Sequence, residues 1–333
     1  MVDPEGARYR PGDTRGHYES WFIRGNHPSR PLAFWIRYTL TAPKGAPDDT
    51  IAELFAIAFD GERARHVAVR EVVSIRACTF SSSGLDVRIL GSHLTRERAV
   101  GRASSHGRTL GWDLDWTGGT EPRLLLPERL YAGGFPKAKS LVMRPGVTFG
   151  GRLEIDGEPW PVDDWVGSIN HNWGERHTDQ YTWGQVAGFE GDPSAFLELA
   201  TARIRIGPVL TPAMTPIVFR HEGREHRLNA LYKVFRRATL DGLRWSFAAK
   251  GDGIALSGVI SATPAQVVTF AYKNPPGGTK LCVNSKIARC ELTVTRAGSR
   301  TTLLSQSGAA FEVLVDDVQA AERLGIVGLP PAL

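Results

Sequence analysis

At 333 residues, with 42% hydrophobic and 23% charged side chains, the chain can bury one large or two ordinary cores and is too apolar to be disordered. Its formal charge of +5 comes mostly from dispersed arginines with no run of five like charges, so a nucleic-acid partner is not expected. Three cysteines (Cys78, Cys282, Cys290) without a CxxC spacing speak against a disulfide framework or a cysteine-based zinc site. The N-terminal stretch lacks the apolar core of a signal peptide and no apolar run reaches spanning length, so a cytoplasmic protein without a transmembrane segment is expected.

Residues 1–15 are polar and carry Pro4 and Pro11, which reads as a loose arm. From Gly16 onward the pattern is that of strands. The first, from His17, alternates so that Glu19, Trp21 and Ile23 share one face. Leu32–Leu40, Ile51–Phe59, Ala64–Ile75, Leu85–Leu90, Arg108–Trp116 and Leu124–Leu126 follow, each bounded by Gly, Asp, Ser or Pro. Asp60-Gly61 reads as a hairpin turn. A second series starts near Val147 and turns at Asp156-Gly157. After Phe189 it continues through Ala195–Ile206, Met214–Arg220, Glu225–Ala230, Leu243–Lys250, Ile254–Ser261, Val267–Tyr272, Leu281–Thr295 and Arg300–Ser305. Only Asp316–Leu324 spaces its apolar residues as a helix does. Short strands at this spacing predict an all-β fold of two antiparallel domains, each a barrel or sandwich, with one short C-terminal helix. Proline-bearing Phe135–Pro145 is the expected divide, giving domains at 16–145 and 146–333.

The densest chemistry lies in Gly150–Phe189, which holds Trp160, Trp165, Trp173 and Trp183 beside His171, His177, Asn170, Glu175, Tyr181 and Gln185. That mixture of aromatic and polar side chains suits the wall of an apolar pocket. Val162–Ile169 reads as a strand, Asn170–Arg176 as a turn and Asp179–Phe189 as a returning strand. A hairpin of this kind would bring Trp165 and Trp183 together, with His171 and Glu175 at its mouth. His221–His226 resembles a zinc helix, but the residue four after His221 is Glu225 and Gly223 interrupts the run. A surface hairpin is expected there, and no metal.

These residues resemble the carotenoid 1,2-hydratase (hydroxyneurosporene synthase) and AttH-like family, with tocopherol cyclase as a more distant relative. The matching letters are Gly151-Arg-Leu-Glu-Ile-Asp-Gly157, Trp165-Val-Gly167, Asn170-His-Asn-Trp-Gly174 and Tyr181-Thr-Trp-Gly-Gln185. The opening strand around Trp21 is similar as well. The resemblance implies two lipocalin-like β-domains side by side, and a hydrophobic small-molecule ligand of isoprenoid or polyketide-like character. It further implies proton-initiated hydration, cyclisation or isomerisation without a cofactor. Asn170 departs from the pattern: hydratase-like members carry aspartate there, and an amide cannot serve as the acid.

Protonating an apolar substrate needs a carboxylic acid held neutral by burial, beside aromatic faces. Glu198, in the apolar run Ala195–Ala202, and Glu19, among aromatics, are the acid candidates. The structural alternative for Glu198 is a buried partner for Arg203, Arg205 or a backbone group, and for Glu19 an ion pair with a nearby arginine. His171 is the leading proton-relay candidate, with a turn-fixing role as the alternative. Trp21, Trp165, Asn170, Trp173, Glu175, Tyr181, Trp183 and Gln185 are the expected ligand-contacting residues. A non-catalytic carrier of a hydrophobic ligand, or a protein-interaction module with a vestigial pocket, would use the same scaffold.

Overall fold

The computed structural model describes residues 4–230, 233–235 and 237–333. Strands hold 63% of the residues and helices 6%. Twelve strands form the first sheet: β1 (His17–Asn26), β2 (Leu32–Ala42), β3 (Ile51–Asp60), β4 (Val67–Ser74), β5 (Cys78–Phe80), β6 (Asp86–Ile89), β7 (Ser92–Thr95), β8 (Arg98–Ser105), β9 (Arg108–Gly118), β10 (Arg123–Leu124), β11 (Ala138–Ile155) and β12 (Glu158–Gly174). They run in the order β4-β3-β2-β1-β12-β11-β9-β8-β7-β6-β5, with β10 beside β11, and curl into a nearly closed barrel. Helix α1 (Arg129–Ala132) lies in the connection before β11.

The second sheet contains β13 (Gln180–Phe189), β14 (Asp192–Arg203), β17 (Ile217–His221), β18 (Arg224–Leu228), β19 (Ala238–Asp241), β20 (Arg244–Gly251), β21 (Ile254–Ser261), β22 (Val268–Lys273), β23 (Thr279–Arg296) and β24 (Ser299–Val315). A small ribbon of β15 (Arg205–Ile206) and β16 (Val209–Leu210) stands apart from it. Helix α2 (Val318–Glu322) follows, where the sequence predicts it, capped by the Asp317 carboxylate accepting from Ala320 N.

Each sheet wraps its own core, and a third cluster joins them. Phe22, Trp35, Phe55 and Phe59 from the first sheet pack against Trp183, Phe270, Tyr272 and Leu314 from the second. Alternation explains how one strand serves two cores. Along β1, Trp21 and Ile23 point into the first barrel, while Phe22 points at the second sheet. β2 divides likewise: Phe34, Ile36 and Tyr38 face in, Ala33 and Trp35 face out. A strand buried on both faces shows no polar side to the sequence reader.

Several expectations need correction. The stretch from Asn170 to Gly174 is not a turn, because β12 runs unbroken through it, paired with β1 on one side and β11 on the other. The backbone hydrogen bonds of two neighbouring strands outweigh the local turn preference of Asn and Gly. β12 and β13 therefore do not form a hairpin; they belong to different sheets, and Trp165 lies in the first core while Trp183 lies between the sheets. The chain passes from one sheet to the other between Gly174 and Gln180, not at Phe135–Pro145, since β11 and β12 complete the first barrel. Asp60-Gly61 begins a longer connection to Val67 rather than a two-residue turn. Asp156-Gly157 does make one, with φ of 52° and 91°. The His221–His226 stretch is a hairpin between β17 and β18. Gly167, part of the family-like motif, has a steric reason: a Cβ there would lie 1.8 Å from the Arg24 carbonyl oxygen across the strand pair.

Candidate functional site

The alternation of β12 splits the predicted site in two. Trp21 stands opposite His171 and Glu19 opposite Trp173 on paired strands, so these four share a face. Phe22 opposes Asn170 and Arg24 opposes Ser168 on the other face. His171 and Asn170, adjacent in sequence, thus project into different surroundings.

The first group sits at an end of the barrel. Glu19, fully buried, accepts from the backbone N–H groups of Arg8 and Tyr9 at 2.9 Å. His17 Nε2 lies 3.0 Å from its Oε2 and His171 Nε2 2.8 Å from its Oε1. Burial alone would raise the Glu19 pKa, but the two histidines outweigh it and hold the carboxyl at about 2. The His171 ring stacks on Trp21 at 4.6 Å, its Nδ1 lies 2.9 Å from the Pro4 carbonyl oxygen, and burial lowers its pKa against the pull of Glu19. The Arg8 guanidinium covers the Trp173 ring at 3.6 Å. Trp21 Nε1 donates to Glu5 O, and Ala7 N to Ser81 O. Residues 4–9 are therefore tied into the barrel, where the sequence suggested a loose arm.

The second group lies between the sheets. Glu198, on β14, is 3% exposed; Trp183 Nε1 donates to its Oε1 and Gln185 Nε2 to its Oε2, both at 2.8 Å. Gln185 Nε2 also reaches Asn170 Oδ1 at 2.9 Å, and Gln185 Oε1 accepts from Ser168 Oγ at 2.6 Å and from Arg24 Nη1 at 3.1 Å. Burial raises Glu198 from 4.5 to about 7, although Trp183, Gln185 and the Arg24 charge pull it down. Beside it the buried Lys286 ammonium pairs with Glu312 Oε1 and with Asn284 Oδ1, each at 2.7 Å, and lies 5.3 Å from the Trp183 ring centre and 5.4 Å from that of Trp35. Tyr181 OH donates to Glu312 Oε2 at 3.2 Å.

Two predicted residues join neither group. Trp165 is packed among Phe34, His27 and Trp160 inside the barrel. Glu175 is at the surface, ion-paired to Lys137 at 2.5 Å. Arg24, Lys286 and Glu312 escaped the sequence reading, yet each is a buried charge flanked on both sides by uncharged buried residues, the same signal that singled out Glu198. A cleft of about 470 Å³ lies elsewhere, lined by Thr120, Glu121, Arg123, Arg220, Gly223 and Glu225. Among the described residues no group of three or more His, Cys, Asp or Glu could hold a metal ion, and no helix is long and apolar enough to cross a membrane.

No family model matches the chain. Two uncharacterized proteins of Mycobacterium tuberculosis, from strains CDC 1551 and H37Rv, are each 23% identical over 200 residues, 60% of this chain. The chain spans 59% of the length of these curated relatives. A provisionally named AttH protein of Nitrosomonas europaea has a crystal structure that matches 94% of this chain and 95% of its own, with a TM-score of 0.58 at 14% identity. The crystal structure of CghA matches 94% of each chain, with a TM-score of 0.51 at 12% identity. At such identities the likeness concerns architecture: in fold, the chain is AttH-like.

Proposed function

We propose that the protein is a cofactor-independent acid–base catalyst, of hydration or cyclisation type, acting on an apolar small molecule at the junction of the two sheets. Glu198 is the proton donor. The observation that carries this reading is the pairing of Glu198: a carboxyl held at about 7 whose partners, Trp183 Nε1 and Gln185 Nε2, are both donors. Neither can receive the acid's proton, which leaves it for a substrate. An acid with a pKa near neutrality can give a proton to the substrate and recover one from the attacking water or a ring-closing carbon, without net consumption.

The neighbouring charge narrows the substrate. Trp183 and Trp35 already have the Lys286 ammonium over their faces, so these rings are poor seats for a free carbocation. A polarised, carbonyl-conjugated double bond, which needs no full cation, suits the surroundings better than an isolated alkene. Asn170, in place of the family's aspartate, orients Gln185 and through it Glu198. The His171–Glu19 pair fastens residues 4–9 to the barrel instead of meeting the substrate.

The test is turnover of a panel of terpenoid, quinol and enone substrates, read with solvent-deuterium incorporation. Glu198→Gln should lower turnover by about 100-fold or more, and wild-type turnover should decline above pH about 7 as the acid ionises. Unchanged turnover in Glu198→Gln removes the assignment. A second reading, a non-catalytic carrier, is favoured by the fact that both Glu198 oxygens are already satisfied by protein donors. It predicts a co-purifying hydrophobic mass in native mass spectrometry and no deuterium incorporation into any substrate.

A further inference from the structure

Along β2, the side chains that face the second sheet form a row with unspent hydrogen-bonding capacity. Trp35, Arg37 and Thr39 occupy alternate positions and are 1%, 4% and 4% exposed. Trp35 Nε1, Arg37 Nε and Thr39 Oγ1 each lack a hydrogen-bond partner. The hydroxyl of Tyr272, on β22, is likewise buried, with only the weakly bonding Cys282 thiol beside it. Buried polar groups in folded proteins are nearly always paired, and an unpaired buried charge is the costliest exception.

The guanidinium of Arg37 is that exception. Among the described residues it forms no ion pair, and its contacts are with rings: the Tyr272 ring at 4.4 Å and the Phe55 ring at 5.9 Å. Glu312, which feels its charge, is already bound to Lys286. His177 on the same side adds no second positive charge, because burial and the Arg37 charge keep it neutral, with a pKa of about 3, and an imidazole has no anionic form to offer as counter-charge. The face of the guanidinium is covered by Tyr272, and what is buried without a partner is its Nε–H. Every group in the row can donate a hydrogen bond, and none has acceptor capacity beyond that of a hydroxyl. Around them pack aromatic rings, Trp35, Phe55, Phe270 and Tyr272, in contact with one another.

We propose that the row Trp35–Arg37–Thr39 with Tyr272 is a subsite for the oxyanion of an amphipathic organic acid, a carboxylate or enolate carried on an apolar body. Arg37 supplies the counter-charge through its N–H edge, Trp35, Thr39 and Tyr272 supply further donors, and the aromatic walls take the apolar part. A guanidinium suits this role because its planar fork matches two oxygens of one carboxylate. This goes beyond the acid chemistry of Glu198 and does not depend on it, so its test reads binding alone.

Isothermal titration of the full chain with naphthalene-2-carboxylate and with the neutral 2-acetylnaphthalene separates charge recognition from apolar contact. Wild type should prefer the carboxylate by about tenfold or more. Arg37→Met should erase that preference while leaving the weaker ketone binding in place, and its melting temperature should match or exceed that of wild type, since an uncompensated charge is gone. Should Arg37→Met fail to fold, Tyr272→Phe decides: a drop of about threefold in carboxylate affinity alone, at unchanged ketone affinity, supports the subsite. A wild type that shows no preference or binds neither probe overturns it. So does an Arg37→Met variant that keeps the preference, or a Tyr272→Phe variant with unaltered carboxylate affinity.

Discussion

Two glutamates, Glu19 at the barrel end and Glu198 between the sheets, are both buried, yet their pKa values move in opposite directions. Glu19 drops to about 2 and Glu198 rises to about 7. Burial pushes both up. What differs is the company. Glu19 has two backbone N–H donors and two imidazoles, one of them a half-buried neighbour on its own strand. Glu198 has one indole and one amide, both neutral, and the Arg24 guanidinium spends its hydrogen bonds on Gln185, Asn26 and the Gly308 carbonyl oxygen. Depth does not decide whether a carboxyl is a structural anion or a usable acid; the donors around it do.

The contrast can be broken most forcefully at Glu19. Glu19→Gln removes the anion from between two histidines and two backbone donors and should cost about 3–5 kcal/mol in urea unfolding at pH 7. A loss under about 1 kcal/mol would mean that the network stabilises little. The pH dependence separates the pair next. Glu19 is lowered in the folded state, so its stabilisation is complete above pH 4.5 and vanishes as pH falls toward about 2. Glu198 is raised, so stability is highest below pH 4.5 and declines as pH climbs to about 7. Each shift of 4.5 to its folded value corresponds to about 3 kcal/mol. Glu198→Gln should thus flatten the neutral limb and, at pH 8, be at least as stable as wild type; destabilisation there contradicts a raised pKa.

Asn170→Asp sharpens the comparison by a smaller step. It places a carboxyl on the Gln185 amide that also serves Glu198, and a like charge so near should move the alkaline limb of the pH–rate profile upward by about one unit. An unmoved limb would mean that Gln185 insulates the two positions. Tyr181→Phe should do least: it deletes one hydrogen bond to Glu312, worth about 1 kcal/mol in a melting or denaturant experiment.

Much of this was legible in the residues. Alternation placed Glu19, Trp21 and Ile23 together, turn chemistry placed Asp156-Gly157, and a lone acid in an apolar run marked Glu198. Asn170–Gly174 misled because side-chain turn propensity is local, while the strand there is imposed by β1 and β11, distant in sequence. That error joined His171 to Trp183 in one imagined pocket. Treating Asn170 and His171 as consecutive residues of one strand would have sent them to opposite faces. Trp183 and Gln185 lie on β13, the hairpin neighbour of Glu198, but the groups that hold Gln185 were not legible, since Arg24 and Ser168 reach it only when two sheets, formed from separate halves of the chain, pack together.

The tethering of residues 4–9 has a practical consequence. Those amides and the Arg8 side chain stand in for water around an ionised carboxylate that no solvent reaches. Removing residues 4–9, or displacing them with a bulky fusion, would strip that anion of its backbone donors, leave it to His17 and His171, and weaken the barrel from a site remote from Glu198.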